Sequence, residues 1–146
     1  MLCRGDLAEL VALADPYMAV QVVKHDYSTR SPRKYVGTDM EADNLDYPRK
    51  NWSSVVLWNC NSHRNRYTAE FIEKAALVDF HRFAWLDDMH IGSLPAEWNH
   101  LVSEQPDNPK AKIAHFTLGI PGFTHYQHSE YSAEWRDTLR RTQRGL

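Results

Sequence analysis

The chain has 146 residues, 42% of them hydrophobic and 25% charged, with a formal net charge of −2. That length suits one compact domain, residues 1–146, with a real core, and a charge so near zero gives no electrostatic ground for binding nucleic acid or an anionic membrane. No stretch approaches the roughly 20 apolar residues of a membrane span, and no apolar run follows basic residues at the N-terminus, so neither a span nor a signal peptide is expected and the default compartment is the cytoplasm. Cys3 and Cys60, the only two cysteines, have no short metal-type spacing and suit a reducing compartment. Aromatic residues make up 12% and include five Trp and seven Tyr; such rings serve sugar sites, peptide sites and large cores alike.

In chain order, Asp6 is placed to cap a helix over residues 7–14, where Leu7, Leu10, Val11 and Ala14 share a face, and Asp15-Pro16 stops it. Residues 18–23 are an apolar run relieved only by Gln21, the pattern of a buried strand. Residues 27–51 show no periodicity, and an excursion of roughly 25 residues without elements of its own is commonly functional. Residues 53–59 predict a second strand. Thr68 is placed to cap a helix over 69–77, with Glu70 in its first turn. The aromatic segment 80–86 fits a helix or a turn, and Pro95 fixes a loop over 94–99. Residues 111–117 predict a third strand. A last helix runs from 132 to 143, acidic at its start and basic at its end. Strands alternating with helices make the class α/β.

The segment most suggestive of chemistry is Lys112-Ile113-Ala114-His115-Phe116-Thr117-Leu118-Gly119-Ile120-Pro121. An apolar strand there delivers an imidazole and then a glycine onto a loop, which suits a histidine on a metal and bare backbone against a phosphate. Taken singly, His115 reads as a hydrogen-bonded structural residue and Gly119 as a turn glycine. Asp87-Asp88 fits either a solvated surface or a carboxylate that accepts bonds from sugar hydroxyls. Arg49-Lys50-Asn51-Trp52-Ser53 fits a phosphate contact or a solvated turn. His125-x-x-His128 lacks accompanying ligands at metal spacing. No phosphate-binding glycine motif and no nucleophile elbow occurs.

Read in order, several pieces form a pattern: Arg4-Gly5-Asp6-Leu7, Val22-Val23-Lys24-His25-Asp26-Tyr27, Tyr47-Pro48-Arg49-Lys50-Asn51-Trp52-Ser53-Ser54, Trp85-Leu86-Asp87-Asp88, Ile91 to Asn99, and His115 to Gly119. The set resembles the C-terminal part of a bacterial or phage glycosyltransferase related to the glycogenin-like family 8, in the nucleotide-diphospho-sugar transferase group. The resemblance implies a single α/β domain with a mixed central sheet of glycosyltransferase-A type, here lacking its N-terminal nucleotide-binding strands and their Asp-x-Asp motif. It implies His115 as a ligand of Mn²⁺ or Mg²⁺, and Asp87 and Asp88 as the catalytic pair beside the transferred sugar. Asn51, Ser53, Ser54 and Gly119 would lie on the donor, and His25 and Asp26 on the acceptor side. The family's lysine after the histidine segment is absent, since Ile120-Pro121-Gly122 stands there, and Asp88 replaces a glutamine.

The expected function is metal-dependent transfer of a sugar from a nucleotide sugar to a glycan or other hydroxyl acceptor, weak or absent in this chain because one protein ligand is a poor site for a hard cation. The alternatives are a carbohydrate-binding or interaction module without catalysis, and an inactive relic whose open sheet edge favours a homodimer.

Overall fold

A computed structural model describes residues 1–65 and 68–145. The class is mixed α/β, with three small sheets and four α-helices among the described residues. Where the resemblance implies one central sheet, the strands divide between two three-stranded sheets and a hairpin.

The centre of the first sheet is β2, Val20–Val22, and all three of its residues are buried. Val20 faces Trp58 of β5 (Val56–Trp58) in an antiparallel pair, and Ile91 of β6 (Ile91–Ser93) in a parallel one. The centre of the second sheet is β8, Ile113–His115. It pairs antiparallel with β1 (Leu2–Cys3), Leu2 opposite Ala114, and parallel with β7 (His100–Leu101), Leu101 opposite His115. Both predicted strands at 18–23 and 111–117 shorten to three residues, and the segment predicted as a strand from 53 begins with a 3₁₀ turn over Trp52–Ser54.

The helices follow their caps. The Asp6 carboxylate accepts from the Ala8 amide at 2.9 Å and starts α1, Leu7–Val11. Only Leu10 is buried in it, and Leu7 and Val11 remain more than half exposed, so no docked face carries the helix on to Ala14. Thr68 accepts from the Phe71 amide at 3.1 Å and caps α2, Ala69–Lys74. The aromatic segment begins as α3, Leu77–Arg82, and ends at Phe83 in a left-handed conformation. The last helix, α4, spans Ser132–Gln143 as the charge pattern predicts.

Three apolar clusters hold these pieces together. Leu10, Val23, Val55, Leu94, Trp98 and Ile113 pack across the junction of the two sheets. Trp98 is 1% exposed there, and a buried side chain of that size contributes about 2–3 kcal/mol. Val20, Val22 and Ile91 pack with Phe83 and Leu86, with Trp52 and Trp85 against them. Leu2, Val102, Ala114 and Phe116 form the third cluster, covered by Trp135 of α4.

The long excursion at 27–51 is more ordered than its lack of periodicity suggests. It contains a hairpin of β3 (Arg33–Lys34) and β4 (Ala42–Asp43), turned through Tyr35 and Gly37 at positive φ. Its tip is fastened by the Tyr35 amide to the Leu118 carbonyl at 2.6 Å and by the Val36 amide to the Tyr126 hydroxyl at 3.1 Å. Both cysteines are free and exposed. Among the described residues no helix is long and apolar enough to cross a membrane.

Candidate functional site

His115 is the last residue of β8, and His25 follows β2 by three residues. Each imidazole therefore leaves the carboxyl end of the central strand of its own sheet, the end at which open α/β sheets tend to bind ligands. The Trp52 indole N–H donates to the His25 carbonyl at 3.0 Å and holds that segment. His25 Nδ1 has a long contact of 3.5 Å with the Gln105 amide, while His25 Nε2 and His115 Nδ1 are buried without a partner. Burial pushes the His25 pKa down to about 4, with His100 adding to the effect. Burial also takes His115 down to about 4, helped by the N-terminal ammonium and by His25. Both rings are neutral at pH 7, and both keep a nitrogen that nothing among the described residues satisfies.

Beside them lies a knot of buried polar groups in which the bonds are made. Lys50 Nζ donates to Asn44 Oδ1 at 2.7 Å, and Asn44 Nδ2 donates to Glu104 Oε1 at 2.7 Å and to the Ser31 carbonyl at 2.8 Å. The second Glu104 oxygen accepts from the Arg30 amide at 2.8 Å. Burial pushes the Lys50 amine below its usual range against the opposing pull of Asp46 and Glu104. Next along the chain, Asn51 adopts a left-handed backbone, a conformation asparagine tolerates better than most residues. Its amide donates to the Tyr27 hydroxyl at 2.8 Å. Burial, with the nearby Glu104 charge, raises the Tyr27 phenol above its usual range. The buried Asn99 amide donates to the Asn51 carbonyl at 3.1 Å and to Ser54 Oγ at 2.8 Å.

The structure thus brings His25 within electrostatic reach of His115 and ties Asn51 and Ser54 into the adjoining network. The other predicted residues go elsewhere. Ser53 Oγ is 3.2 Å from His81 Nδ1. Asp26 is exposed. Asp88, its side chain 78% exposed, pairs with Arg49 at 2.7 Å. Asp87 lines a separate cleft with His63 and Arg64. Gly119 is a glycine for packing reasons: it is buried, and an added Cβ would stand 2.3 Å from the Tyr126 ring. Among the described residues no group of three His, Cys, Asp or Glu is placed to hold a metal. His115 makes no hydrogen bond or ion pair with a carboxylate among the described residues, and the N-terminal ammonium and His25 are the charges that act on it, whereas Mn²⁺ or Mg²⁺ prefers several oxygens. The donor set around His115 does not fit a hard cation by itself.

Sequence reasoning missed Tyr27, Asn44, Asn99, Glu104 and Gln105, and read Lys50 as a phosphate contact or part of a solvated turn rather than as a buried amine. A lysine in a mixed-charge run reads as solvated, and no spacing rule links residue 50 to residue 104.

The chain is 37% identical over 141 residues to Protein CDI of Arabidopsis thaliana. The matched region is 92% of this chain and 53% of the plant protein, so the chain spans about half the length of that relative. No family model matches the chain. No solved structure matches it. These findings overturn the resemblance to family 8 glycosyltransferases: the relative found carries a different name, and no glycosyltransferase family or structure stands beside it. The motif pieces are individually short, and several of them, Gly119 with its aromatic neighbour above all, are accounted for by packing.

Proposed function

We propose that the chain binds the sugar end of a nucleotide-sugar donor and takes part in transferring that sugar to an acceptor hydroxyl. The observation that supports this reading is the pair of neutral, half-buried imidazoles, His25 and His115, each with a buried nitrogen left without a partner near the end of a central strand. A neutral imidazole offers one donor and one acceptor, which matches a sugar hydroxyl. With a pKa of about 4 each ring is a weak base, so its part is to hold and orient hydroxyls rather than to abstract protons. The Tyr27 hydroxyl and the Gln105 amide are the neighbouring groups suited to extend that contact.

A second reading, metal-free binding of a glycan, is favoured by the lack of any three-ligand group among the described residues. Titration calorimetry with uridine-diphosphate glucose, with and without Mn²⁺, and with a neutral oligosaccharide separates the two. The first reading expects nucleotide-sugar binding that weakens at least about ten-fold in His115→Ala, the scale of losing a buried hydrogen bond. Binding of the oligosaccharide alone, indifferent to Mn²⁺, selects the second. Nucleotide-sugar binding that His25→Ala and His115→Ala both leave unchanged overturns the assignment of these rings.

A further inference from the structure

Outside the histidine pair, a cleft of about 460 Å³ opens between α2 and the 3₁₀ turn Asp88–His90. That volume lies within the range of small-molecule sites, roughly 300–1,000 Å³. Phe71 and Trp85 form its apolar wall, and Trp85 is locked by edge contacts with Phe71, Phe80 and Phe83 at ring distances of 5.5–6.0 Å. His63, Arg64, Asp87 and His90 supply its polar lining.

What sets this cleft apart is that its polar groups are unspent. The Trp85 indole N–H is buried without a hydrogen-bond partner among the described residues. Among the described residues, no ion pair or side-chain hydrogen bond reaches the Arg64 guanidinium, the Asp87 carboxylate or either imidazole, whereas neighbouring Asp88 is paired with Arg49. A guanidinium fork and a carboxylate acceptor line one cleft beside an aromatic wall, each with capacity left for a ligand.

We infer that this cleft binds an acidic sugar, a pyranose bearing a carboxylate. The ring's C–H face suits the aromatic wall. Its carboxylate suits the planar fork of Arg64, and its hydroxyls donate to Asp87. A neutral sugar leaves the guanidinium unused. A phosphate dianion brings two negative charges against Asp87 where a carboxylate brings one that Arg64 offsets, and it has no ring face for the aromatic wall. The site needs neither a metal nor a nucleotide, so it stands or falls independently of the histidine pair.

The test is calorimetry and tryptophan fluorescence on the full chain at pH 7, without metal or nucleotide. The probes are a disaccharide ending in glucuronate and the same disaccharide ending in glucose. The acidic form binds at least about ten-fold more tightly, the worth of one charge-assisted bidentate contact. Arg64→Gln abolishes that preference and leaves the weak neutral binding, Arg64→Lys retains part of it, and Asp87→Asn weakens both sugars. Trp85→Phe removes the fluorescence response, with thermal unfolding confirming that each variant is folded. Equal affinity for the two sugars, no binding of either by the parent chain, or a preference that survives Arg64→Gln overturns the inference.

Discussion

Two polar regions lie side by side in this molecule and have been treated in opposite ways by the fold. In the Lys50–Asn44–Glu104 knot, both Glu104 oxygens and the Asn44 amide are engaged at 2.7–2.8 Å. In the histidine pair, two ring nitrogens are buried with nothing to bond. A buried charge is tolerated only when its bonds are made, so the knot is a structural fastening that pins residues 30, 44 and 50 to residue 104. A neutral imidazole with an orphan nitrogen loses much less, so the fold carries two of them where it could not carry a bare charge. The contrast separates what holds the chain from what the chain has to offer.

Acid is the sharpest probe of the comparison. The folded-state pKa values of His25 and His115, about 4, lie below the ordinary value of 6.5, so between those limits the unfolded chain binds more protons. Stability is full above about pH 6.5 and falls as pH drops toward 4, on the order of 2–3 kcal/mol for each ring over that range. Urea unfolding at pH 7, 6 and 5 reads this, and a His25→Gln, His115→Gln double variant flattens the profile. A parent chain equally stable at pH 7 and 5 refutes the neutral pair.

Breaking the knot gives the next effect. Glu104→Ala strands the Asn44 amide and the Arg30 N–H and takes a counter-charge from Lys50, with an expected loss of about 3 kcal/mol. Glu104→Gln, which keeps one acceptor, loses less. Near-neutral Glu104→Ala unfolding at pH 7 contradicts a fastening role.

The smallest effect belongs to the exposed relative of these charges. Asp88→Asn removes the solvent-facing ion pair with Arg49 and changes stability by under about 1 kcal/mol. A larger loss in the same urea titration gives Asp88 a structural weight that its exposure does not suggest.

The sequence announced those parts of the fold that local forces decide. The ends of α4 were readable because acidic and basic residues mark them, and the caps at Asp6 and Thr68 were readable as side-chain acceptors. Strands β2 and β8 showed as apolar runs because each is the buried centre of its sheet. Of their partners, β5 showed within the predicted strand at 53–59, whereas Leu2–Cys3, Ile91–Ser93 and His100–Leu101 did not: they are two or three residues long, too short for any period, and exist only because a central strand offers them hydrogen bonds. The site divides in the same way. His25 and His115 were each visible as a histidine near a strand end, but their meeting is made by two sheets joined through Trp98 and its neighbours. Gly119 was visible too, and misread, because a glycine under an aromatic ring and a glycine under a phosphate look the same in one dimension.

The fastening of residues 27–51 has a consequence for recognition. This excursion, with Tyr27 at one end and Asn51 at the other, is tied to residues 104, 118 and 126 before any ligand arrives. Ordering a free loop of that size on binding would consume much of the interaction energy in lost conformational entropy. Here that entropy is given up at folding, so a ligand leaning on Tyr27 meets a preorganised wall, and its affinity reflects the contacts themselves.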